Sequence, residues 1–536
     1  MTYRRVPAQI QVSMSRRICW RRSLALVGWY QAKAMFNPEI VGVTVAGQPW
    51  DYPATAPFPP HEQYPEFAGR APAGAERNNA YAAVRQLLAT LSLDERRLGG
   101  SDWNPLGELI TPGDQVLLKP NLVRHNHLAG GSYQAVVTHA SVVRCLLDYA
   151  ALALSGRGRL IVGDAPVQSA NFEEAVARTG LRAACDDAAH RWEIPVELID
   201  FRRESVDVDA DHRLTARTAR PGDSRGYCPV DLGNDSLLAA ISDDFQQFRV
   251  TNYDPREMRE HHNLKSHEYL IPRTVLESNV VINLPKLKTH RKVGLTAALK
   301  NMVGVNGHKD WLPHHRVKSP AEGGDEYEHR SWLKRIQTRL IEAADRAPHS
   351  AGSRVRALAI RIANRAGRRC SRDPYREGSW YGNDTLWRTV LDLNRIVLYC
   401  DRDGRMKPTT QRTCFSVVDG IIAGDGEGPM EPTTRRCGLL LGGVNAAAVD
   451  AVAATLAGFD YRRIPLIARA FQSRSFALTD FSPEDIGIVT DSAVLADVRV
   501  GEPYRRYQFQ PPSGWRGHVA FGDNGDTRSL AAQTTT

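Results

Sequence analysis

Short apolar runs recur along the first half of the chain, and their alternation with helical segments limits the fold more than any other feature. The runs at 115–118, 159–162, 196–200 and 279–284 are rich in valine, leucine and isoleucine, which is typical of buried strands. Segments with helical spacing separate the first three runs. Strands joined through helices pair in parallel by right-handed crossovers. The sequence therefore predicts an α/β protein with a doubly wound, mostly parallel sheet.

Helices are predicted where apolar residues recur three and four positions apart. This spacing occurs at 80–91, 141–154, 171–179, 384–399 and 446–456. Gly180 stands where a glycine commonly ends a helix. Two shorter apolar runs, at 415–418 and 438–441, predict late strands.

Most of the chain is expected to form one α/β domain, from residue 35 to residue 510. Within it, residues 318–382 predict a helical, arginine-rich insertion, with helical spacing at 332–344 and 354–366. We interpret this insertion as a solvated amphipathic hairpin, and peripheral membrane contact through residues 330–370 is the alternative. Its arginines are not interleaved with aromatic residues and form no nucleic-acid motif, so no nucleic-acid partner is expected.

The two ends of the chain are expected to lie outside this domain. Residues 511–536 predict a polar tail, and residues 1–34 predict a tail or an export-signal-like segment. Ser15–Arg21 contains paired arginines typical of twin-arginine signals, but the apolar run after it is short. Later methionines offer other start sites, so this segment need not be translated. The prediction is a cytoplasmic protein, with twin-arginine export as the alternative. No run approaches the roughly 18 apolar residues of a membrane-spanning helix, so no transmembrane segment is expected.

Several cofactor classes lack their sequence motifs. None of the eight cysteines belongs to a Cys-x-x-Cys pair, so neither an iron–sulfur cluster nor a Cys-rich zinc site is expected. No Gly-x-Gly-x-x-Gly follows the first strand and no phosphate loop occurs, so neither NAD nor FAD is expected. A Gly-x-Ser-x-Gly motif is also missing, which argues against a serine hydrolase.

Polar and charged residues stand where the apolar strands end. These residues are Lys119, Asn121, Asp164, Lys286, Lys288, His290, Asp419, Asp425 and Glu427. In a parallel sheet the carboxyl ends of the strands meet at one edge, where open α/β proteins bind their ligands. We therefore expect these side chains to line one crevice.

The lysines of this group suit an anionic ligand. Lys286 and Lys288 are two residues apart, so in an extended segment they point the same way and can clamp a phosphate or carboxylate together with Lys119. The net charge of +9 is compatible with such a ligand. His290 suits general acid–base catalysis, because imidazole exchanges protons near neutral pH. In the structural alternative, the lysines pair with nearby aspartates and only tie strand ends together.

The acidic residues near the strand ends suggest a metal as a second expectation. Residues 425–429 form a glycine-rich acidic loop, which can hold a hard divalent cation through carboxylate oxygens. The loop is equally compatible with a tight turn whose glycines adopt positive φ. The metal hypothesis assigns Asp164, Asp419, Asp425 and Glu427 as ligands, and the cofactor is otherwise left open.

Several motifs occur in the order found in the domain of unknown function 362 family. They are Leu118–Leu122, Thr138–His139, Val162–Pro166, Asn283–His290, Leu299–Gly304, Gly382–Trp387, Val418–Gly420 and Ala448–Ala451. By these motifs the chain resembles that family from about residue 75 to residue 470, without the ferredoxin module that some members carry. We assign catalysis to His290, Lys300 and Lys288, and substrate binding to Lys119, Asn121, Lys286, Asn301 and His139.

The spacing of His290 and Lys300 is also distantly similar to that in the lactate racemase family. There a histidine precedes a lysine that bears a nickel pincer cofactor, and the resemblance implies a similar role for Lys300. In the alternative, His290 and the later His308 and His314 are hydrogen-bonded or surface residues.

Two functional hypotheses follow from these residues. The first is an enzyme that acts on a small anionic carboxylate or phosphate by acid–base chemistry such as isomerisation or elimination, with metal assistance left open. The alternative is a non-catalytic binding or accessory protein for an anionic metabolite or glycan. Fold alone does not separate the two, since function depends on the site that a fold carries.

Overall fold

The computed structural model describes residues 37–208, 214–250, 255–336, 338–339, 377–472 and 474–523. Three predictions fall wholly or partly outside these residues. They concern the export-signal-like segment 1–34, the middle of the insertion including the helix at 354–366, and the last part of the polar tail. Among the described residues, no helix combines the length and the apolar character needed to cross a membrane.

The strands of the described residues, in chain order, are β1 (Ile40–Val45), β2 (Gln115–Pro120), β3 (Arg159–Asp164), β4 (Val196–Asp200), β5 (Glu204–Val208), β6 (Leu214–Ala219), β7 (Tyr227–Asp231), β8 (Phe248–Arg249), β9 (Glu268–Pro272), β10 (Val280–Leu284), β11 (Lys286–His290), β12 (Gly294–Thr296), β13 (His315–Arg316), β14 (Thr413–Glu427), β15 (Glu431–Gly443) and β16 (Gly487–Thr490). The principal sheet has the order β16-β1-β15-β14-β10-β2-β3-β4, and β11 and β12 continue it beside β14. The pairs β5–β6, β7–β9 and β8–β13 form small separate sheets.

The principal sheet is mostly parallel, as predicted. The strands β14, β10, β2, β3 and β4 pair in parallel, with registers such as Asn283 opposite Lys119 and Leu118 opposite Val162. In the main strand order, β15 alone runs against its neighbours, pairing antiparallel with both β14 and β1. The carboxyl ends of β10, β2 and β3 therefore meet at one edge, where Lys119 is the next-to-last residue of β2 and Asp164 is the last residue of β3.

The helices are α1 (Asn79–Thr90), α2 (Ala140–Leu154), α3 (Phe172–Thr179), α4 (Leu181–Trp192), α5 (Pro255–His261), α6 (Arg273–Glu277), α7 (Ala298–Asn301), α8 (Leu386–Tyr399), α9 (Ala446–Ala457) and α10 (Pro465–Ala468). Helices pack on both faces of the sheet, which makes the fold doubly wound. The predicted ends of α3 and α9 agree with their caps: Asn171 accepts a hydrogen bond from Glu174, and Gly180 and Gly458 adopt positive φ.

Two regions differ from the sequence-based expectation. The late strands are much longer than the predicted runs, because β14 and β15 form a hairpin that continues past the end of β10 and closes through polar residues. The beginning of the predicted tail packs against the domain. Trp515 is buried, and its Nε1 donates to the Arg291 carbonyl at 2.7 Å.

Candidate anion-binding site at the carboxyl edge of the sheet

A cavity of about 400 Å³ opens at the carboxyl edge of β2 and β3. Its polar and charged lining consists of Lys119, Asn121, Arg124, Asp164, Ser169, Lys288, His290, Arg291, Lys292, Thr296, Lys300, Asn301, Lys309, His314, Glu377 and Ser379. Seven of these side chains are lysine or arginine, and two are carboxylates. The cavity therefore has an excess of basic groups suited to an anion.

A buried ion pair joins the ends of β2 and β3 at the base of the cavity. Lys119 Nζ lies 2.6 Å from Asp164 Oδ1, and both residues are almost inaccessible to solvent. The Leu122 backbone N–H donates to the other carboxylate oxygen, Asp164 Oδ2, at 2.8 Å. Burial lowers the pKa of Lys119, and the neighbouring Asp164 partly opposes this effect. Both oxygens of Asp164 thus accept hydrogen bonds from the protein.

Asn301 connects this pair to α7. Its Oδ1 accepts a hydrogen bond from Lys119 Nζ at 3.3 Å, and its Nδ2 donates to the Lys119 carbonyl at 3.0 Å. Asn301 Nδ2 also donates to Asn283 Oδ1 at 2.8 Å. The side chain predicted to bind substrate therefore has a positioning role as well, because it holds α7 against β2 and β10.

The beginning of α7 is held by a buried carboxyl group. Asp450 Oδ1 accepts from the Ala298 N–H at 2.6 Å, and Oδ2 accepts from the Leu299 N–H at 3.2 Å. Burial raises the pKa of Asp450 to about 8, and the two backbone hydrogen bonds act against that rise. Asn394 Nδ2 donates to the Leu299 carbonyl at 2.9 Å. The backbone that carries Lys300 is therefore fixed from several sides.

Two cavity lysines differ in what their amines contact. Lys309 Nζ donates to the Val303 carbonyl at 3.0 Å, whereas Lys300 Nζ has no hydrogen-bond or ion-pair partner within the described part of the chain. Burial, with the positive charges of Lys292 and Lys119 as the next causes, lowers the pKa of Lys300 to about 7. Burial likewise lowers the pKa of Lys309 to about 7. Both amines are thus partly neutral near physiological pH.

The two cavity histidines use the same ring nitrogen in opposite ways. His290 Nδ1 accepts from the Lys292 N–H at 3.1 Å, so a neutral His290 carries its proton on Nε2. His314 Nδ1 lies 2.7 Å from the Leu312 carbonyl and must donate to it, which leaves Nε2 with a free lone pair. Burial, followed by nearby lysines, lowers the pKa of both imidazoles. One neutral imidazole therefore offers a proton to the cavity, and the other accepts one.

Lys288 lines the cavity, but Lys286, the residue two positions before it, does not. The pairing of β11 with β14 shifts between them, from Lys286 opposite Asp419 to Lys288 opposite Gly424. Lys288 Nζ donates to the Val136 carbonyl. Burial lowers its pKa well below the usual value, with the charge of Lys286 as the next cause.

Lys286, Asp419 and His139 form a separate buried cluster with Tyr52. Lys286 Nζ lies 2.9 Å from Asp419 Oδ2 and 2.8 Å from the Tyr52 hydroxyl, which itself donates to Asp419. The His139 N–H donates to Asp419 at 3.0 Å, and its ring stacks on Tyr52 with centroids 4.1 Å apart. None of the four lines the cavity. In this cluster, charge pairing ties β11, β14 and the start of α2 together.

Asp425 and Glu427 also lie away from the cavity lining. Asp425 accepts from the Gln510 N–H at 3.0 Å and lies 3.3 Å from Arg435. Glu427 accepts from the Ser513 N–H at 2.7 Å and lies 3.1 Å from Arg291. The two acids thus anchor the segment around residues 510–513 on the β14–β15 hairpin.

The four acids predicted as metal ligands do not converge on one point, since each binds different partners. Within the described ranges, the close groups of potential ligand atoms are Glu204, His308 and Asp310, and the more exposed Glu257, Glu260 and His261. Arg217 lies between the acids of the first group, with Nη1 2.9 Å from Asp310 and in contact with Glu204. That guanidinium neutralises the carboxylates that a cation would need.

Several cavity residues were not assigned from the sequence. Lys292 and His314 lie in irregular segments after β11, Lys309 begins a one-turn 3-10 helix, and Arg124 and Arg291 stand just after β2 and β11. The dense run of basic residues between 286 and 316 was a usable signal for this set. No periodicity shows which side of an irregular segment faces a cavity.

Comparison with known proteins identifies a family and one curated relative. The family model described as "Domain of unknown function (DUF362)" matches residues 116–221 and 220–455. A thylakoid-associated protein from Synechocystis sp. is 26% identical over 228 residues, which cover 42% of this chain and 48% of that protein. The chain thus spans about half the length of this curated relative.

A solved structure of a Thermotoga maritima protein is also similar in part. It is 10% identical with a TM-score of 0.25, and the match covers 66% of this chain and 54% of that one.

Proposed function

The chain belongs to the domain of unknown function 362 family, and from that premise we propose that it is an enzyme acting on a small anionic substrate. The observation that carries the proposal is the cavity at the carboxyl edge of the sheet, where seven basic side chains face two acidic ones. One of these acids, Asp164, is already paired with Lys119. The remaining basic groups suit a carboxylate or phosphate, whose negative charge favours their protonated forms.

The neutral imidazoles supply the acid–base chemistry of the proposal. His314 Nε2, with its free lone pair, acts as the base that removes a proton from a carbon next to the anionic group. His290 Nε2–H acts as the acid that protonates an oxygen or the opposite carbon. Isomerisation or elimination of a small carboxylate or phosphate needs these two roles. The adjacent lysines stabilise the negative charge that develops during proton removal.

Anion binding in this cavity must be coupled to proton uptake. The pKa values of Lys300 and Lys309 are lowered to about 7, so these amines are partly neutral at pH 7.5. An anion favours their charged forms and raises both pKa values. Binding at pH 7.5 to 8 therefore takes protons from the buffer.

Isothermal titration calorimetry with pyrophosphate tests the binding step. Titrations in two buffers of different ionisation enthalpy should give different observed binding enthalpies. The slope of the observed enthalpy against the ionisation enthalpy of the buffer gives the number of protons taken up. Lys300→Gln and Lys309→Gln should each weaken binding about tenfold or more, since each removes a charge–charge contact worth about 1.5 kcal/mol or more. Lys265→Gln is the matched control, because Lys265 is exposed and remote from the lining. Equal losses in the control would contradict the proposed site.

Turnover is tested by proton exchange. The protein would be incubated in D2O with panels of 2-hydroxy acids, 2-oxo acids and sugar phosphates, with deuterium incorporation followed by NMR. His314→Asn retains a donor for the Leu312 carbonyl but removes Nε2, so it should lower exchange by about 100-fold to 10,000-fold. Pyrophosphate binding without exchange of any panel member would favour the alternative, a non-catalytic binding protein for an anionic metabolite or glycan.

Peripheral membrane contact is a second candidate function, favoured by an exposed apolar pair. Trp332 is 73% exposed and Ile336 is 44% exposed, one helical turn apart at the start of the arginine-rich insertion. The name of the Synechocystis relative records an association with thylakoids. Trp332→Ser with Ile336→Ser should reduce sedimentation with anionic vesicles, and unchanged sedimentation would contradict this candidate.

A further inference from the structure

We propose that Lys300 is a nucleophile that forms an imine with the substrate, which makes the substrate a small aldehyde or ketone carrying a carboxylate or phosphate. This inference rests on the proposed function, because the same basic cavity must first bind the anionic group. It adds the identity of the reacting group and the type of bond formed.

The environment of the Lys300 amine distinguishes it from three other lysines of the cavity. Lys119 Nζ is paired with Asp164, Lys288 Nζ donates to the Val136 carbonyl, and Lys309 Nζ donates to the Val303 carbonyl. Lys300 Nζ contacts no acceptor among the residues that the structure describes. Its lone pair is therefore available to an incoming carbonyl carbon when the amine is neutral.

Near pH 7 the surroundings keep a share of the Lys300 amine neutral, and they fix the backbone that carries it. Burial and the charges of Lys292 and Lys119 disfavour its protonated form, which is how a lysine becomes nucleophilic near neutral pH. Asp450, Asn394 and the Asn301 side chain hold the backbone on both sides of Lys300. The nucleophile is thus carried by a rigid short helix, which limits the ways in which it can meet the carbonyl.

The reaction is balanced without an oxidant or reductant. The neutral amine attacks the carbonyl carbon, a C–N bond forms, and the carbonyl oxygen receives a proton to give a carbinolamine. His290 Nε2–H gives the proton that the carbonyl oxygen receives, and His314 Nε2 accepts the proton that the attacking nitrogen loses. The protonated His314 then passes its proton to the hydroxyl, which leaves as water as the nitrogen lone pair forms the C=N bond, and His290 regains its proton from solvent. The resulting protonated imine withdraws electrons, so it favours the proton removal assigned above to His314.

Pyridoxal 5′-phosphate is a suitable probe, because it combines an aldehyde with a phosphate. The full chain would be incubated with it at pH 7.5 and reduced with sodium borohydride, and the labelled peptides would be identified by mass spectrometry. We expect nearly one label per chain, on Lys300, at least tenfold above the label on Lys309 in the same sample. Labelling should rise with pH and be half-maximal at or above pH 7, because the bound phosphate raises the pKa of the amine. Lys300→Arg and Lys300→Gln should each lose the label, while Lys265→Arg, on the exposed surface, should retain it.

The outcomes separate this inference from the proposed function. Suppose that pyrophosphate binds with proton uptake, but the label is found on Lys309 or is spread over surface lysines. That result would refute imine formation at Lys300 and would leave the anion-binding site supported. In another outcome, pyridoxal, which lacks the phosphate, labels Lys300 as strongly as pyridoxal 5′-phosphate does, and pyrophosphate does not reduce the labelling. That result would support Lys300 as a nucleophile and contradict the anion-binding site. Unchanged label in both Lys300 variants would overturn the inference directly.

Discussion

Gly304 leaves the space in which the buried Lys119–Asp164 pair lies. A Cβ atom at position 304 would stand 1.9 Å from Asp164 Oδ1 and 2.4 Å from Lys119 Nζ. Real Cβ atoms do not approach other atoms so closely, and Asp164 is further held by the Leu122 N–H. The Gly304→Ala substitution must therefore displace the carboxylate from its partners.

The expected cost follows from the burial of the pair. Removing one partner of a buried ion pair costs about 3–5 kcal/mol, because the other charge is left uncompensated. Gly304 does not adopt positive φ, so backbone strain adds nothing to the effect of the methyl group. We expect Gly304→Ala to lower the free energy of unfolding by about 3–5 kcal/mol, at the upper end of single-substitution effects.

Urea denaturation followed by tryptophan fluorescence measures this loss. Gly47→Ala is the matched control, since its nearest contact to an added Cβ is 3.7 Å, and it should change stability by less than about 0.5 kcal/mol. In an Asp164→Ala background, Gly304→Ala should cost at least about 2 kcal/mol less than in the native chain. An equal cost in both backgrounds would refute the collision with the carboxylate.

Two further predictions concern residues outside the cavity. Burial lowers the pKa of His139 and of His262 to about 3, so between pH 6.5 and 3 the unfolded chain binds more protons and stability falls with falling pH. The free energy of unfolding should change by up to about 1.4 kcal/mol per pH unit for each histidine. A midpoint of urea unfolding that does not decrease as the pH is lowered from 7 to 5 would contradict this prediction. Lys286→Met leaves Asp419 buried without its cation and should cost about 3–5 kcal/mol of stability. The pyrophosphate affinity of the Lys286→Met variant, measured by calorimetry, should differ less than threefold from that of the native chain. A tenfold loss of affinity would show that Lys286 contributes to anion binding.

The part of the site that could be predicted from sequence is the part carried by regular strands. Lys119, Asp164, Lys288 and His290 come at the ends of β2, β3 and β11, and a parallel sheet brings such ends to one edge. Alternation of strand and helix was sufficient to predict that sheet. The same reasoning located Asn121 at the cavity, directly after β2.

Other residues depended on geometry that the sequence does not express. The assumption that Lys286 and Lys288 act together did not allow for the shift in pairing along β14, which matches Lys286 with Asp419. Asp425 and Glu427 were placed beside the cavity because β14 was expected to end early. Instead the strand continues to Glu427, and its acids bind backbone N–H groups near residue 510. His314 lies in an irregular segment that no periodic pattern describes.

The proposed function depends on a small anion binding among the cavity lysines, and crystals soaked in tungstate test this directly. We expect an anomalous difference peak inside the cavity, within ion-pair distance of the amines of Lys300 and Lys309. Peaks confined to exposed lysines such as Lys265, with an empty cavity, would contradict anion binding at this site.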